Sequence, residues 1–358
     1  MHWRTYSVAE FSRHVPAWDR LNGKMQDLPF LHSDFLLPAI AEFGNGDERL
    51  AIAEEQGAPV AMGLFRRVRQ GMWETFQPSQ LPLGAFVSLR GLPLDEALRD
   101  LGRSLPGLVL GVALTQQDPA LTARPSATQT LGTLDYVDTA CVRIAGTFDE
   151  YWAGRGKNLR QNIKKQLAKL SQDGAETSLD VIERPERVGE AIAQYGSLET
   201  AGWKARRGTA ISPDNAQGQF YRAVFEKFCS KGSGRIYRYS LNGRVVAMDM
   251  CLIGGGALVI LKTTYDESMK SISPAVLMRH CYMPAVFAEE RINRIEFYGK
   301  VMEWHLRWTN DVRTLFHVNR YRWHWIKAMR EKAARARDAS AAADSDAGIE
   351  LADGDRAT

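Results

Sequence analysis

The dipeptide Asn242-Gly243 constrains this chain more than any other pair of residues. It lies between two apolar runs, 235–241 and 245–253, and both residues tolerate a positive φ, so the runs are expected to fold back on each other as a hairpin. Gly254-Gly255-Gly256 is the next turn and 257–264 the next strand. A polar run from Tyr265 to Ser273 then leads into Pro274. Ser before Pro suits an N-cap followed by Pro at the first helical position. The helix is expected to run to about residue 290, with Val276, Leu277 and Cys281 along it and Pro284 kinking it or weakening its bonding. A strand over 294–298, a short helix over 302–309 and a strand over 313–321 complete the segment.

The chemistry of that order lies where the third strand hands over to the helix. A helix start offers free N–H groups and the positive end of the dipole, and so attracts phosphate. Lys270, Ser271 and Ser273 are the phosphate candidates, with a plain helix cap as the alternative. The wider series is Gly243-Arg244-Val245-Val246-Ala247, then Lys262-Thr263-Thr264-Tyr265-Asp266-Glu267, Ser273-Pro274, Phe297-Tyr298-Gly299 and Trp304-x-x-x-Trp308. It resembles the Gcn5-related N-acetyltransferase (GNAT) family of the type first noted in cellulose-biosynthesis clusters, which is related to the Fem-type peptidoglycan aminoacyltransferases. The resemblance covers roughly residues 145–322 well and the front half loosely. It implies that the strand–helix junction holds the pyrophosphate of coenzyme A, through Lys270, Ser271, Ser273 and Ala275. The family's loop reads R/Q-x-x-G-x-G/A; here it is Lys270-x-x-Ser273-x-Ala275, with a cation kept and both glycines gone. Where relatives carry Ser-Pro-Gly, this chain has Ser273-Pro274-Ala275, and the Ala methyl takes room where a phosphate would approach.

Composition sets the class. A 358-residue chain with 45% hydrophobic and 25% charged residues reads as an ordinary soluble protein of one large or two smaller domains. A net charge of +4 does not argue for DNA. The four cysteines, Cys141, Cys229, Cys251 and Cys281, form no CxxC pair and no zinc-like spacing. They read as mostly buried free thiols in a reducing compartment, and no metal is expected. The start, Met1-His2-Trp3-Arg4, has no apolar secretory run, and no stretch approaches membrane-spanning length, so a cytoplasmic protein is expected.

The front half is read as a strand over 3–8, helices through Trp18 and over 34–43, a hairpin over 50–68, further strands over 80–88 and 108–114, and a helix over 94–105. Its hairpin contains an echo: Gly57-Ala58-Pro59-Val60-Ala61-Met62 reads like Gly243-Arg244-Val245-Val246-Ala247-Met248. Chance is one explanation and a duplicated domain the other. Residues 115–140 read as a Thr/Gln/Pro-rich connection running into a strand over 135–144. Thr147-Phe148-Asp149-Glu150 is a capping box. The next helix sets Leu159, Ile163, Leu167 and Leu170 in one stripe and Arg155, Lys157, Arg160, Lys164, Lys165 and Lys169 on its other faces. A strand over 177–182 and helices over 185–202 and 214–230 follow. The expected fold is therefore α/β (α+β), with tandem GNAT-like domains, each a mixed twisted sheet flanked by helices. Residues 1–145 form a degenerate domain, 146–325 the acyltransferase domain, and 326–358 a helical extension with a disordered acidic tail.

Amide formation from a thioester needs a held donor, a positioned amine, a route for its proton and donors for the oxyanion. Tyr265 lines the thioester site or is a strand-end aromatic; Asp266 relays a proton, orients the loop or merely forms a turn. Tyr298 is the candidate general acid to the thiolate, or packs and bonds a carbonyl. Glu303, like His305, is a candidate base or an exposed helix residue. Lys204 and Lys262 are candidate substrate-binding cations, and Trp304 is placed with them. The expected activity is acyl-CoA-dependent N-acylation of a primary amine on a sugar, lipid base or amino compound, in exopolysaccharide or envelope biosynthesis, with peripheral membrane contact allowed. The alternatives are aminoacyl transfer from tRNA, long-chain acylation of a sphingoid base, and a non-catalytic accessory role in polysaccharide synthesis.

Overall fold

The computed structural model describes residues 1–201 and 211–333. Its centre is one 13-stranded mixed sheet. The front half contributes β1 (His2–Ser7), β2 (Arg49–Glu55), β3 (Ala58–Arg69), β4 (Met72–Thr75), β5 (Phe86–Ser88) and β6 (Gly111–Gln117). The rear half contributes β8 (Thr177–Ile182), β9 (Gly234–Leu241), β10 (Arg244–Gly254), β11 (Ala257–Tyr265) and β12 (Arg294–Glu296). Two long strands join the halves: β7 (Leu131–Arg143) and β13 (Asp311–Tyr321). The order is β1-β2-β3-β4-β6-β13-β7-β12-β11-β10-β9-β8, with β5 paired to β3 off this path.

The halves exchange their closing strands. β7 follows β6 in sequence yet pairs with β12 of the rear half, and β13 follows β12 yet pairs with β6 of the front half. The two lie antiparallel from Asp311↔Cys141 to Arg320↔Leu131. Each half also has a parallel pair formed across a helix, β4 with β6 and β11 with β12. The connecting helices are α3 (Leu94–Ser104) and α8 (Pro274–Phe287).

The hairpin echo is structural. Gln56-Gly57 and Asn242-Gly243 both turn with positive φ, at 51° and 79° and at 49° and 75°. Both return strands then slip register at the valine of the echo. Pro59 pairs with Glu54 and Ala61 with Ala53, skipping Val60; Val245 pairs with Ser240 and Ala247 with Tyr239, skipping Val246. A bulge at the same place in both copies is a conserved local device, which six matching letters alone do not require.

Helices cover both faces. α1 (Phe11–Met25), α2 (Ser33–Phe43), α6 (Val188–Ala201) and α7 (Ala216–Ser230) pack on one face over a core shared by the two halves, where Phe35 meets Phe220 edge-on at 5.1 Å. The opposite face carries α3 in front and α4 (Phe148–Ala153), α5 (Lys157–Gln172), α8 and α9 (Glu303–Trp308) behind. α4 opens with the expected capping box, Thr147 and Glu150 bonding reciprocally.

The rear element order matches the expectation throughout. Several boundaries do not. The expected strand over 80–88 is a loop ending in the three residues of β5, and the strand expected over 108–114 lies at 111–117, because Leu108 is exposed in the preceding turn. β4 was not expected, and β7 begins inside the stretch read as a connection. The rear helix ends at Phe287. The polar run before it is a short 3-10 helix, Glu267–Ile272. Three cysteines are buried, but Cys281 is exposed. No described helix is long and apolar enough to cross a membrane.

Candidate active site

The parallel pair β11–β12 is short. Ala257, Leu258 and Val259 pair with Arg294, Ile295 and Glu296, and then the strands part. β11 continues to Tyr265 with β10 on one side, leaving its other edge facing the gap. At the end of that edge the chain passes through the 3-10 turn and starts α8. A pocket of about 350 Å³ lies there, lined by Thr263 and Tyr265 of β11, Lys270, Ser273 to Val276 and Arg279 of the turn and helix, and Trp304 and Arg307 of α9.

Ser273 has φ 53° and ψ 58°, the left-handed region, which costs a non-glycine residue roughly 1–2 kcal/mol. Ser273 stands where the loop pattern that the sequence resembles has its first glycine, and its backbone takes a conformation that glycine adopts freely. The expected side-chain cap is absent: Ser273 makes no capping hydrogen bond. Its carbonyl instead takes the N–H groups of Val276 and Leu277, at 2.9 and 3.2 Å. Pro274 has no N–H, and by position Ala275 carries the next first-turn donor. No acidic residue occupies the first turn of α8. Ala275 is ordinary helical backbone, where glycine is not required for conformation; its methyl lines the pocket.

Beneath the pocket lies a buried ion pair that sequence reasoning missed. Arg279 donates from Nε to Asp249 Oδ2 (3.0 Å) and from Nη2 to Asp249 Oδ1 (3.1 Å) and Thr263 Oγ1 (2.7 Å). Thr263 and Tyr282 each donate a hydroxyl to Asp249, at 2.6 and 2.9 Å. Burial pulls the Arg279 pKa down, but Asp249 outweighs it and holds the guanidinium charged. The Trp304 ring covers the Arg279 guanidinium at 4.4 Å. Asp249 is the sole charge in the run Val245–Ile253, and a buried strand charge calls for a partner. That was the available signal. Arg307 was also missed; three residues after Trp304 on a helix, it shares that residue's face. It borders a second pocket of about 610 Å³, which reaches the start of α5 at Gly156 and Asn158.

The structure gathers Tyr265, Lys270, Ser273, Ala275 and Trp304 around the first pocket and leaves the other candidates outside its lining. Ser271 is exposed, its carbonyl accepting from Gln166 Nε2 at 3.0 Å. Asp266 is buried; it accepts from the Ser268 N–H and hydroxyl and pairs with Arg244, so it ties the turn to the hairpin. Lys262 faces the other side of the sheet, 3.5 Å from buried Glu199 and 5.4 Å from the Tyr221 ring centre. Glu303 is exposed at the start of α9. Lys204 lies outside the described residues.

Tyr298 also lies on the other side, in the left-handed region at φ 48°, with its ring edge-on to Phe30 at 5.0 Å. Its hydroxyl donates to Asp118 Oδ2 at 3.1 Å. Asp118 also receives both forks of Arg313, at 2.8 and 2.7 Å, and Arg313 reaches Glu296 at 2.8 Å. Burial, then the charges of Asp118 and Glu296, push the Tyr298 phenol well above its ordinary range, so it keeps its proton. His305 is buried against Trp304, ring centres 3.5 Å apart, and its Nδ1 accepts from the Met302 N–H at 2.9 Å. Burial and then Arg279 lower its pKa to about 4, so it is neutral at pH 7.

Among the described residues no group of three or more His, Cys, Asp or Glu could hold a metal ion. Residues 157–306 match the acetyltransferase (GNAT) domain family. No curated protein sequence matches the chain. Among solved structures it is similar to a conserved protein of unknown function from Bacteroides thetaiotaomicron VPI-5482, with TM-score 0.56 and 11% identity over 86% of this chain and 97% of that one. It is similar to the C-terminal domain of a putative lysylphosphatidylglycerol synthetase from Agrobacterium fabrum, with TM-score 0.53 and 12% identity over 92% and 96%. It is also similar to FemX, with TM-score 0.52 and 8% identity over 89% and 97%. These TM-scores show a shared fold across both halves, and the domain match over residues 157–306 carries the kind of chemistry: transfer of an acyl group. Residues 157–306 are thus a GNAT acetyltransferase domain, in a chain that shares its fold with FemX.

Proposed function

We propose that the chain is an acyl-CoA-dependent N-acyltransferase acting on a primary amine of a sugar, lipid base or amino compound. One observation carries this reading: the parting of β11 from β12 opens beside a helix start with no acid in its first turn, with Lys270 and Arg307 at the pocket wall. Lys270, Arg307 and the Ala275 N–H would hold a diphosphate. Thr263, Tyr265 and Trp304 wall the course of the arm that carries the thioester. The free edge of β11 beyond Val259 supplies backbone donors for the oxyanion, and its position does not depend on side chains.

The acceptor would approach from the face of α6 and α7, where Lys262 and Glu199 lie. As the C–N bond forms and the C–S bond breaks, the amine gives one proton to water and the thiolate receives one from the protein, which water then restores. Tyr298 is protonated and stands two residues past the last β11–β12 pair, and we assign it the proton donor's role, with Asp118 orienting it. Asp266 is assigned to shaping the loop. The buried thiols fit work in the reducing cytoplasm.

Isothermal titration with acetyl-CoA and longer acyl-CoAs tests the reading. Folded protein that takes up none of them would end it. A second reading, aminoacyl transfer from tRNA, draws on α5, whose Lys157, Arg160, Lys164, Lys165 and Lys169 are all exposed. A salt-dependent gel shift with aminoacylated tRNA separates the two.

A further inference from the structure

A second basic cavity lies in the front half and shares no lining residue with the pocket at α8. It measures about 340 Å³ and opens between α3, the start of β6 and the end of β13. Four arginines line it, Arg99 and Arg103 from α3, Arg320 from the end of β13 and Arg322 just past it, with Trp323 beside them. Two carboxylates answer them. Asp95 takes Arg320 at 3.1 Å. Asp100 is shared by Arg99 and Arg103, each at 3.3 Å, and by the N-terminal ammonium at 3.6 Å. Among the described residues no carboxylate pairs with Arg322, whose guanidinium lies 5.1 Å from the Trp323 ring centre.

Four arginines thus line the cavity against two carboxylates, one of which also meets the N-terminal ammonium, and the innermost arginine is not open to water: the Arg320 side chain is 14% exposed. Arg99, Arg103 and Arg322 stand exposed at the rim, where water screens them, so an incoming anion gains most at Arg320, the one guanidinium held away from solvent. Burial lowers the Arg320 pKa; Asp95 opposes this, while Arg99 and Arg103 add to it. Guanidinium forks match phosphate oxygens in pairs, which an amine does not. Gly102, in α3, also lines the cavity, and a Cβ there would stand in ordinary contact with Val112 at 3.7 Å. A longer side chain from Gly102 would project into the space. Glycine inside a helix costs about 1 kcal/mol against alanine, and here it leaves the cavity open.

We propose that this cavity binds the phosphate group of a phosphate ester, with Arg99, Arg103, Arg320 and Arg322 as its donors and Trp323 flanking the ester's organic part. The space exceeds what inorganic phosphate needs, so an ester fits better than the free ion. Two sources share this chemistry, a soluble ester such as a nucleoside monophosphate and the headgroup of an anionic phospholipid. The exposed Trp325, stacked on Trp323 at 5.7 Å, suits either a stacked base or a lipid interface.

The test uses the full chain with two probes: calorimetric titration with AMP, and co-sedimentation with phosphatidylglycerol vesicles against phosphatidylcholine vesicles. Two variants accompany it. R99E/R103E reverses two exposed charges, and Gly102→Leu fills the cavity while leaving every arginine in place. Each is expected to weaken binding roughly tenfold or more, while acetyl-CoA binding stays as in the parent and the thermal melt stays cooperative, the midpoint falling only for R99E/R103E, which loses the Asp100 pairs. AMP binding alone identifies a soluble ester, and binding to phosphatidylglycerol vesicles alone identifies a lipid headgroup; either supports the site. If neither probe binds the parent protein, or if both variants bind as the parent does, the proposal is wrong.

Discussion

The two halves are built on one plan and differ where it matters for binding. Each has a bulged hairpin, a parallel pair and a helix between the paired strands. In the front half that helix, α3, carries Asp95 and Glu96 in its first turn. Its positive end is neutralised by its own side chains. In the rear half α8 carries no acid there, and Lys270 and Arg307 stand close by. The strand beneath differs as well. Asp249 holds the position that the hairpin echo aligns with Gly63, and it pins α8 through Arg279; Gly63 instead lies against the rings of Phe65 and Phe86. The connection to the exchanged strand contains helix α9 behind, whereas residues 118–130 in front form none. Under the proposed function, a duplicated scaffold thus needs few changes to confine anion binding at a helix start to one copy.

Removing one member of the buried pair should have the largest effect. Asp249→Ala leaves the Arg279 charge and two hydroxyls unanswered, and a loss of 3–5 kcal/mol is expected, about what breaking a buried pair costs. Urea unfolding measures it. Gly63→Ala, which would set a methyl 2.5 Å from Phe65, should cost about 1–3 kcal/mol through overcrowding instead. If Asp249→Ala cost less than Gly63→Ala, the claim that the rear copy depends on its charge would fail.

The next effect is acid sensitivity. The folded-state pKa of His305, about 4, lies below the unfolded value near 6.5. Between these values the unfolded chain binds the proton more readily, so stability should be intact above about pH 6.5 and lost as pH falls toward 4, by up to about 3 kcal/mol. His305→Asn should flatten that part of the curve. An unchanged slope in the variant would show that the loss comes from other groups.

How much of this was legible in the chain depends on how local the determinant is. The rear element order could be read because Asn242-Gly243, Gly254-Gly255-Gly256 and Ser273-Pro274 each dictate a turn or helix start from adjacent residues. The strand exchange could not: Asp311 and Cys141 pair across a long stretch of sequence, and nothing near either residue encodes the other. β4 has four residues and its partner β6 lies beyond a helix, so no periodicity marks it. In the site, Lys270, Ser273 and Ala275 were legible as a loop with a known spacing. Asp249 and Arg279 carry no such local mark, because an isolated charge in an apolar run looks like noise until its partner is found. Ser before Pro normally signals a side-chain cap; the left-handed backbone of Ser273 is a tertiary outcome.

The comparison predicts its own reversal. Ala275→Asp gives α8 the acidic first turn of α3. An acid at that position favours the helix dipole by about 0.5 kcal/mol, so the fold should be at least as stable. Under the proposed function acetyl-CoA affinity should nevertheless fall roughly 100-fold, about 2.7 kcal/mol, through repulsion of the diphosphate. Calorimetric titration beside a thermal melt reads both. Affinity unchanged in a well-folded variant would move the phosphate away from α8.

The smallest effect sharpens the comparison at a single backbone angle. The front hairpin meets its left-handed requirement at φ 79° with Gly57, whereas the turn into α8 meets one at φ 53° with Ser273. Ser273→Gly removes the left-handed strain of roughly 1–2 kcal/mol but gives the unfolded chain more freedom to lose, which offsets about 0.4–1 kcal/mol of it. A net gain of about 0.5–1 kcal/mol in unfolding free energy is expected. Ser273→Ala keeps the β-carbon and should show no such gain. If glycine and alanine behaved alike, the turn would not hold its left-handed conformation in solution, and the Ala275 N–H of α8 would not stand where the proposed diphosphate site needs it.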